Sequence, residues 1–207
     1  MDARWTRRSG LRREPEARSG LGQRRSGPTG FDRRLAAIYC LRVDRCDSCG
    51  FEYHLDRAPE AASNVVAGAR TLAGLLHRDA AVLRARPRPE TWSPLEYCCH
   101  VRDVLLVQRE RVLAARRSER PSFDPMGRDE RVDHDGYSQQ APDDVARQLT
   151  DAALLFAHVL TLLGPGDWDR TVMYNYPRRL ERQLTWLAVH TEHEVRHHLR
   201  DVELQLS

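Results

Sequence analysis

The chain contains no lysine, so all 33 of its basic residues are arginine. It also lacks an apolar run long enough to cross a bilayer, and its N-terminus lacks the apolar segment of a secretory signal. Its five cysteines are an odd number and do not suggest a secreted disulfide framework. These absences predict a cytoplasmic protein with no membrane partner, whose thiols are reduced or metal-bound. The exclusive use of arginine indicates a GC-rich genome.

Positive charge is concentrated at the N-terminus. Residues 1–30 contain eight arginines and three acidic residues, so the remainder carries a net charge of −2 within a total of +3. This segment is rich in Arg, Gly and Ser and poor in apolar residues, which predicts a disordered leader. A nucleic-acid-binding arm is the alternative, since clustered arginines neutralise phosphates. Unstructured basic leaders are commoner, so we expect no nucleic-acid partner.

Residues 31–58 contain a CxxCG motif, Cys46-Asp-Ser-Cys49-Gly50. The glycine permits a tight turn in which amide groups face the two sulfur atoms, and one such turn supplies half of a tetrahedral zinc site. The motif therefore predicts a small zinc knuckle with Cys46 and Cys49 as ligands. The sequence does not identify the other two ligands, for which the candidates are Cys40, His54, Cys98 and Cys99. A pair of free thiols at a turn is the alternative interpretation.

Residues 59–207 contain four helical segments. Apolar residues recur at steps of three and four from Pro59 to the prolines near residue 87, from about 93 to 118, from 143 to 163 and from 184 to 206. Ser93, Pro94 and Glu96 match a capping box at the start of the second helix. A long polar connection, 119–142, precedes the third helix, and a short extended piece is expected at 171–174. The sequence thus predicts an all-α fold, an up-down-up-down four-helix bundle whose second and fourth helices run in the same direction.

The last helix holds four of the nine histidines. His190, Glu194 and His198 are spaced by four, so adjacent members of this set lie on one helical face and can bind one ion. The apolar stripe of the helix places Glu194 and His198 inward, with His190 as a reserve ligand. His193 and His197 fall on the other side and are interpreted as solvated or as supporting residues. A histidine-rich helix without a metal remains the alternative.

Several of these features resemble the DinB-like superfamily, and within it the mycothiol-dependent maleylpyruvate isomerase type. The shared features are Trp92-Ser-Pro-Leu-Glu96 followed by His100 and Asp103 on the second helix, and Glu194, His198 and Asp201 on the last. The resemblance covers residues 59–206. It implies a divalent metal, zinc first and nickel second, bound by His100, Glu194 and His198. The branches of the superfamily that use only histidine would instead imply His193 and His197.

The resemblance also implies an activity. Three protein ligands leave a position at which a low-molecular-weight thiol such as mycothiol can bind, so we expect an S-transferase or isomerase acting on small electrophiles. Asp103 or Asp201 would orient a ligand histidine. Arg111 would receive a substrate carboxylate, and Tyr137 would line the pocket. A homodimer through a bundle face is a further expectation.

Two other functions remain open. A non-enzymatic metal-binding or interaction module would use the CxxCG knuckle and the basic leader. Hydrolysis by a metal-activated water is the third possibility, although the sequence offers no obvious separate general base. The residues alone do not choose the metal, the thiol or the electrophile.

Overall fold

A computed structural model describes residues 44–175 and 178–207. Helices dominate the described part of the chain, which also contains one pair of strands and two 3-10 turns, Leu55–Glu60 and Tyr137–Gln139. The α-helices are α1 (Ala61–Leu75), α2 (Ala80–Arg84), α3 (Pro94–Arg117), α4 (Arg128–His134), α5 (Pro142–Thr161) and α6 (Leu184–Leu206), and the strands are β1 (Thr171–Asn175) and β2 (Arg179–Gln183). The leader predicted at 1–30, and Cys40, lie outside the described residues.

Helix α3 begins at the predicted capping box. The Ser93 hydroxyl accepts a hydrogen bond from the Glu96 amide at 3.4 Å, and the Glu96 carboxylate accepts one from the Ser93 amide at 2.8 Å. Arg86 adds two hydrogen bonds to the same carboxylate, at 2.7 and 2.8 Å. Pro94 occupies the first turn, where its missing N–H costs nothing. The sequence prediction of this helix start is therefore confirmed.

The first predicted helix is divided into two. Helix α1 ends at Leu75, and α2 starts after Asp79, whose carboxylate accepts a hydrogen bond from the Ala81 amide at 2.8 Å. An aspartate at this position caps a new helix and so favours a break in the old one.

Contacts at the helix ends fix the directions of three long helices. The ends of α1 and α6 lie together, since Arg78 donates a hydrogen bond to the Leu206 carbonyl oxygen at 2.9 Å. These two helices therefore run in the same direction. The end of α6 also lies beside the start of α3, because the Gln205 side chain donates to the Trp92 carbonyl oxygen at 3.0 Å. Helices α3 and α6 are thus antiparallel.

Helix α5 runs in the same direction as α3. Arg102 near the start of α3 donates to the Gln148 side chain near the start of α5 at 2.7 Å. Arg170, beyond the end of α5, donates to the Ala115 carbonyl oxygen near the end of α3. Both α1 and α3 pack against α5 and α6, so α1 and α3 lie diagonally across the bundle.

The order of the long helices is therefore up, down, down, up. This corrects the predicted up-down-up-down order, in which α3 and α6 would be parallel. The physical reason is the connection 118–141, which runs back along the bundle before α5 begins. Helix α3 has 24 residues and is about 36 Å long, so only a long connection permits a parallel neighbour. Short loops, in contrast, favour alternating directions.

Strand β1 contains the extended piece predicted at 171–174. It pairs with β2 in antiparallel register from Thr171↔Gln183 to Asn175↔Arg179. The helix α6 follows β2 without an intervening loop, so the strand pair sets the position at which α6 enters the bundle.

The CxxCG motif forms a tight turn of the expected kind. The Cys46 amide donates to the Phe51 carbonyl oxygen at 2.9 Å, and the Gly50 amide donates to the Cys46 carbonyl oxygen at 2.8 Å. Gly50 has a φ of 74°, a conformation that favours glycine. Phe51 is buried and lies under the Arg196 guanidinium, which places this turn against α6.

Among residues 44–175 and 178–207, no helix combines the length and apolar character needed to cross a membrane.

Candidate metal centre

Helix α6 presents five metal-capable side chains on two adjacent ridges. His190, Glu194 and His198 form one ridge, and His193 and His197 form the other. Side chains four apart stack along a helix face, whereas neighbouring residues lie about 100° apart. The two ridges therefore face different neighbours.

The first ridge meets His100 of α3. The Nε2 atoms of His100 and His198 each lie 3.9 Å from Glu194 Oε2, and the donor atoms of the three residues lie within 4.8 Å of one another. These distances exceed hydrogen-bond length. They approach the separation of two donor atoms that each lie about 2.0–2.2 Å from one ion. Antiparallel packing explains the match, because it puts the first third of α3 beside the second half of α6.

The charges of this group suit a divalent cation. Burial alone would raise the pKa of the Glu194 carboxyl, but the imidazoles that surround it, His100 and His193 above all, outweigh burial and hold that pKa well below its usual range. Burial lowers the pKa of His198, despite the nearby Asp201 carboxylate. At neutral pH the group therefore offers an ionised carboxylate and a neutral His198 imidazole, which are the forms that bind metal.

Asp201 orients histidines on both ridges. Its Oδ2 lies 2.9 Å from His198 Nδ1 and 3.5 Å from His197 Nε2. The shorter contact leaves His198 Nε2 facing Glu194 and His100. A carboxylate behind a ligand histidine is the usual support in metal sites, so the geometry suits the supporting role expected of Asp201.

Asp103 and Tyr137 occupy positions that differ from their predicted roles. The Asp103 carboxylate accepts hydrogen bonds from Arg102 at 2.7 Å, from Tyr137 at 2.6 Å and from Arg131 at 3.1 Å, and it makes no recorded contact with His100. Tyr137 is fully buried and does not line the cavity described below. These two residues therefore attach the connection 118–141 to α3, and neither lines the cavity beside the cluster.

A cavity of about 680 Å³ opens beside the cluster and is lined by His100, Glu194 and His198, among other residues. Arg111 lies in the same wall. It is 4% exposed, its guanidinium stacks 4.5 Å from the centre of the Tyr174 ring, and its Nη1 donates to Gln108 at 3.2 Å. Within 44–175 and 178–207, Arg111 makes no ion pair with a carboxylate, and its Nε has no hydrogen-bond partner.

His190, the reserve ligand of the first ridge, also lines the cavity. Its Nε2 lies 3.8 Å from Glu194 Oε1, and its Nδ1 lies 2.9 Å from the Tyr53 hydroxyl. Burial lowers its pKa to about 4, so the imidazole is neutral at physiological pH.

The second ridge is not the solvated face that the sequence suggested. His193 is buried, and Phe51 and Tyr53, which follow the CxxCG turn, pack against its ring. Cys46 and Cys49 lie with His193 and His197 so that the four donor atoms are within 4.8 Å of one another. The sequence does not connect these residues: the C-x2-C and H-x3-H pairs are each typical of zinc ligands, but they lie far apart in the chain. Cys98 and Cys99, candidates for completing the knuckle, are buried in α3, and His54 is not in the cluster.

Together, the helical order and the His–Glu–His cluster at a cavity wall define an all-α bundle with a candidate metal centre. The sequence model of the DinB superfamily matches residues 54–202. Since this match spans well over half of the chain, the protein belongs to the DinB superfamily, which confirms the resemblance to that superfamily noted in its sequence.

A solved structure supports the fold. YfiT from Bacillus subtilis, described as a probable metal-dependent hydrolase with an unusual four-helix bundle topology, superposes with a TM-score of 0.60 at 12% identity, covering 80% of this chain and 95% of that one. At this identity the likeness establishes the fold alone. No curated protein sequence matches the chain.

Proposed function

We propose that this DinB-superfamily protein is a metal-dependent enzyme that transfers or isomerises small anionic electrophiles with a low-molecular-weight thiol of the mycothiol type. The observation that supports this proposal is the position of His100, Glu194 and His198 in the wall of the same cavity as Arg111. These three residues would hold zinc or nickel. The ion would lower the pKa of an entering thiol and fix the position of the thiolate.

Arg111 supplies the preference for an anionic substrate. A buried guanidinium without an opposite charge is costly unless a ligand compensates it. A carboxylate on the substrate would accept hydrogen bonds from this side chain, and the Tyr174 ring holds the guanidinium in place. The electrophilic carbon would then lie between Arg111 and the His–Glu–His cluster.

The proposed chemistry balances without an oxidant. In a transfer, the thiol sulfur bonds to the electrophilic carbon, the leaving group departs with its electron pair, and the thiol proton passes to solvent. In an isomerisation, the sulfur adds to an activated double bond, the resulting single bond rotates, and the sulfur leaves again. The thiol is therefore consumed in the first case and recovered in the second.

Hydrolysis is the second candidate, for two reasons. The structural neighbour YfiT is described as a probable metal-dependent hydrolase, and His190 provides a neutral imidazole on the cavity wall that can accept a proton from water. Dependence on added thiol separates the two candidates, because hydrolysis requires none.

The test uses untagged protein loaded with zinc or nickel and a panel of electrophiles, each as the free carboxylate and as its ester. We expect turnover that requires both metal and mycothiol. Arg111→Met should lower kcat/KM for the carboxylates by about 10- to 100-fold, the value of one charged hydrogen bond, while the esters and the metal content change little. Arg116→Met is the control, since Arg116 lies on the same helix but pairs with Asp167 at 3.7 Å outside the cavity.

Two results would contradict the proposal. Metal-loaded protein that turns over no member of the panel would favour the non-enzymatic metal-binding alternative. Turnover that is independent of thiol would favour hydrolysis.

A further inference from the structure

The CxxCG turn brings two sulfur donors to the second ridge of α6. Cys46 and Cys49 are both partly exposed thiols, and neither forms a disulfide. Cys46 Sγ lies 3.3 Å from the Ser48 hydroxyl and 3.6 Å from His197 Nδ1. Donors around a tetrahedral zinc ion are about 3.5 Å apart, given Zn–S near 2.3 Å and Zn–N near 2.0 Å. The sulfur–nitrogen distance therefore already matches that of a shared ion.

Each histidine of the second ridge also turns one ring nitrogen toward the sulfurs. His193 Nδ1 lies 2.9 Å from the Tyr53 hydroxyl, and its Nε2 is buried with no hydrogen-bond partner among the described residues. His197 Nε2 faces Asp201 at 3.5 Å, which leaves Nδ1 to face Cys46. In zinc sites the second nitrogen of a ligand histidine is similarly held by a polar partner.

The buried His193 Nε2 is the strongest single indication of a ligand. An unpartnered polar atom in the interior costs free energy, and metal binding would remove that cost. The Tyr53 hydroxyl also contacts His190 Nδ1 at 2.9 Å. If His193 Nδ1–H donates to the Tyr53 oxygen, His193 Nε2 carries the lone pair that a metal ion needs.

We propose that Cys46, Cys49, His193 and His197 bind one structural zinc ion, distinct from the ion of the His100, Glu194 and His198 centre. Four protein donors leave no open position, as in structural rather than catalytic zinc sites. The ligand pairs of the two ions alternate along α6, at 193 and 197 and at 194 and 198. Asp201 contacts a histidine of each pair.

The consequence for the fold is a cross-link between segments about 150 residues apart in the chain. The CxxCG turn precedes Tyr53, and both Asp44 and Tyr53 line the large cavity. A zinc ion at this site would therefore hold one wall of the cavity against α6. A dithiol redox pair at the CxxC turn would not require the two imidazoles.

Cobalt substitution tests this site in the full-length, untagged protein. Only a site with sulfur ligands gives a thiolate-to-cobalt charge-transfer absorption, so we expect this band in the wild type and in His100→Ala. The Cys46→Ser, Cys49→Ser double variant should lose the band and one equivalent of metal. Ser48→Ala, a change in the same turn at a residue that is not a ligand, should keep both.

The histidines are tested separately. His193→Ala and His197→Ala should each weaken binding at the thiolate site by at least about 10-fold, since even supporting residues contribute that much. Because the wild-type spectrum is decisive by itself, the test does not depend on any variant folding. Folded, cobalt-loaded wild type without a thiolate band would overturn the proposal, as would a band that survives in the double cysteine variant. Neither result bears on the His100 centre, which His100→Ala reports independently.

Discussion

Asp201 offers the most specific test of how the bundle centre is supported. Its carboxylate lies 2.9 Å from His198 Nδ1 but 3.5 Å from His197 Nε2. The contact with His198, which belongs to the His100, Glu194 and His198 centre, is therefore the stronger. Burial alone would raise the pKa of Asp201, but the hydrogen bond with His198 lowers it. The carboxylate is thus ionised when it holds His198.

The expected magnitude follows from this geometry. Loss of a residue that supports a ligand histidine typically costs 10- to 100-fold in metal affinity, or about 1.4–2.7 kcal/mol. Asp201→Asn keeps an oxygen that can accept the hydrogen bond without its charge, and charged hydrogen bonds are about twice as strong as neutral ones. We therefore expect about 10-fold weaker binding for Asp201→Asn, and a loss closer to about 100-fold for Asp201→Ala.

The assay is competition with a chromophoric chelator in a Cys46→Ser, Cys49→Ser background, so that only the bundle ion contributes. Glu203→Gln is the matched control, because Glu203 is an exposed carboxylate on the same helix. An affinity of Asp201→Ala within twofold of its background would refute the supporting role of Asp201.

Three further predictions concern stability and thiol chemistry. A Cβ at Gly68 would lie 2.7 Å from Val195 Cγ1, whereas one at Gly74 would meet nothing within 4 Å. Gly68→Ala should therefore destabilise the protein by about 1–3 kcal/mol in thermal unfolding, and Gly74→Ala should be neutral or stabilising by up to about 1 kcal/mol. Equal effects of the two substitutions would contradict this packing. Burial opposes ionisation of Glu96, but its hydrogen bonds with Arg86 and with the Ser93 amide lower its pKa. The stabilisation of the fold by the Glu96 carboxylate is therefore complete above about pH 4.3, the pKa in the unfolded chain. It is lost as the pH falls through the lower pKa of the folded state. Glu96→Gln should therefore cost about 1–2 kcal/mol at pH 7, and denaturant titrations should show the difference shrinking in acid. In metal-free protein, burial would raise the pKa of Cys46, but hydrogen bonds with Ser48 and with the amide of Cys49 lower it to about 5. The rate of Cys46 alkylation should therefore be half-maximal near that pH, and added zinc should stop the reaction. A half-maximal rate near the pKa of an unperturbed thiol, about 8.5, would contradict the prediction.

Local sequence signals predicted the elements well because they depend on neighbouring residues. The Ser93–Glu96 capping box marked the start of α3, and the apolar stripe marked α6 over 184–206. The spacing of Glu194 and His198 likewise placed both on one ridge without knowledge of the fold. These features are set by helix geometry alone.

The errors arose where the answer depends on distant parts of the chain. The order of helix directions is set by the connection 118–141, whose length permits the parallel α3–α5 pair that was not predicted. His193 was assigned to the outer face because nothing local indicates that Phe51 and Tyr53 cover it. Asp103 was expected to orient a ligand histidine, because nothing local indicates that its partners Tyr137 and Arg131 come from that same connection.

The central claim is that the bundle holds an ion between α3 and α6, and elemental analysis of untagged protein tests it most directly. We predict that His100→Ala, Glu194→Ala and His198→Ala each lose one equivalent of divalent metal that the Cys46→Ser, Cys49→Ser variant retains. Metal that disappears only with the cysteines, and is unchanged in the three bundle variants, would contradict the claim and leave the CxxCG site as the sole metal centre.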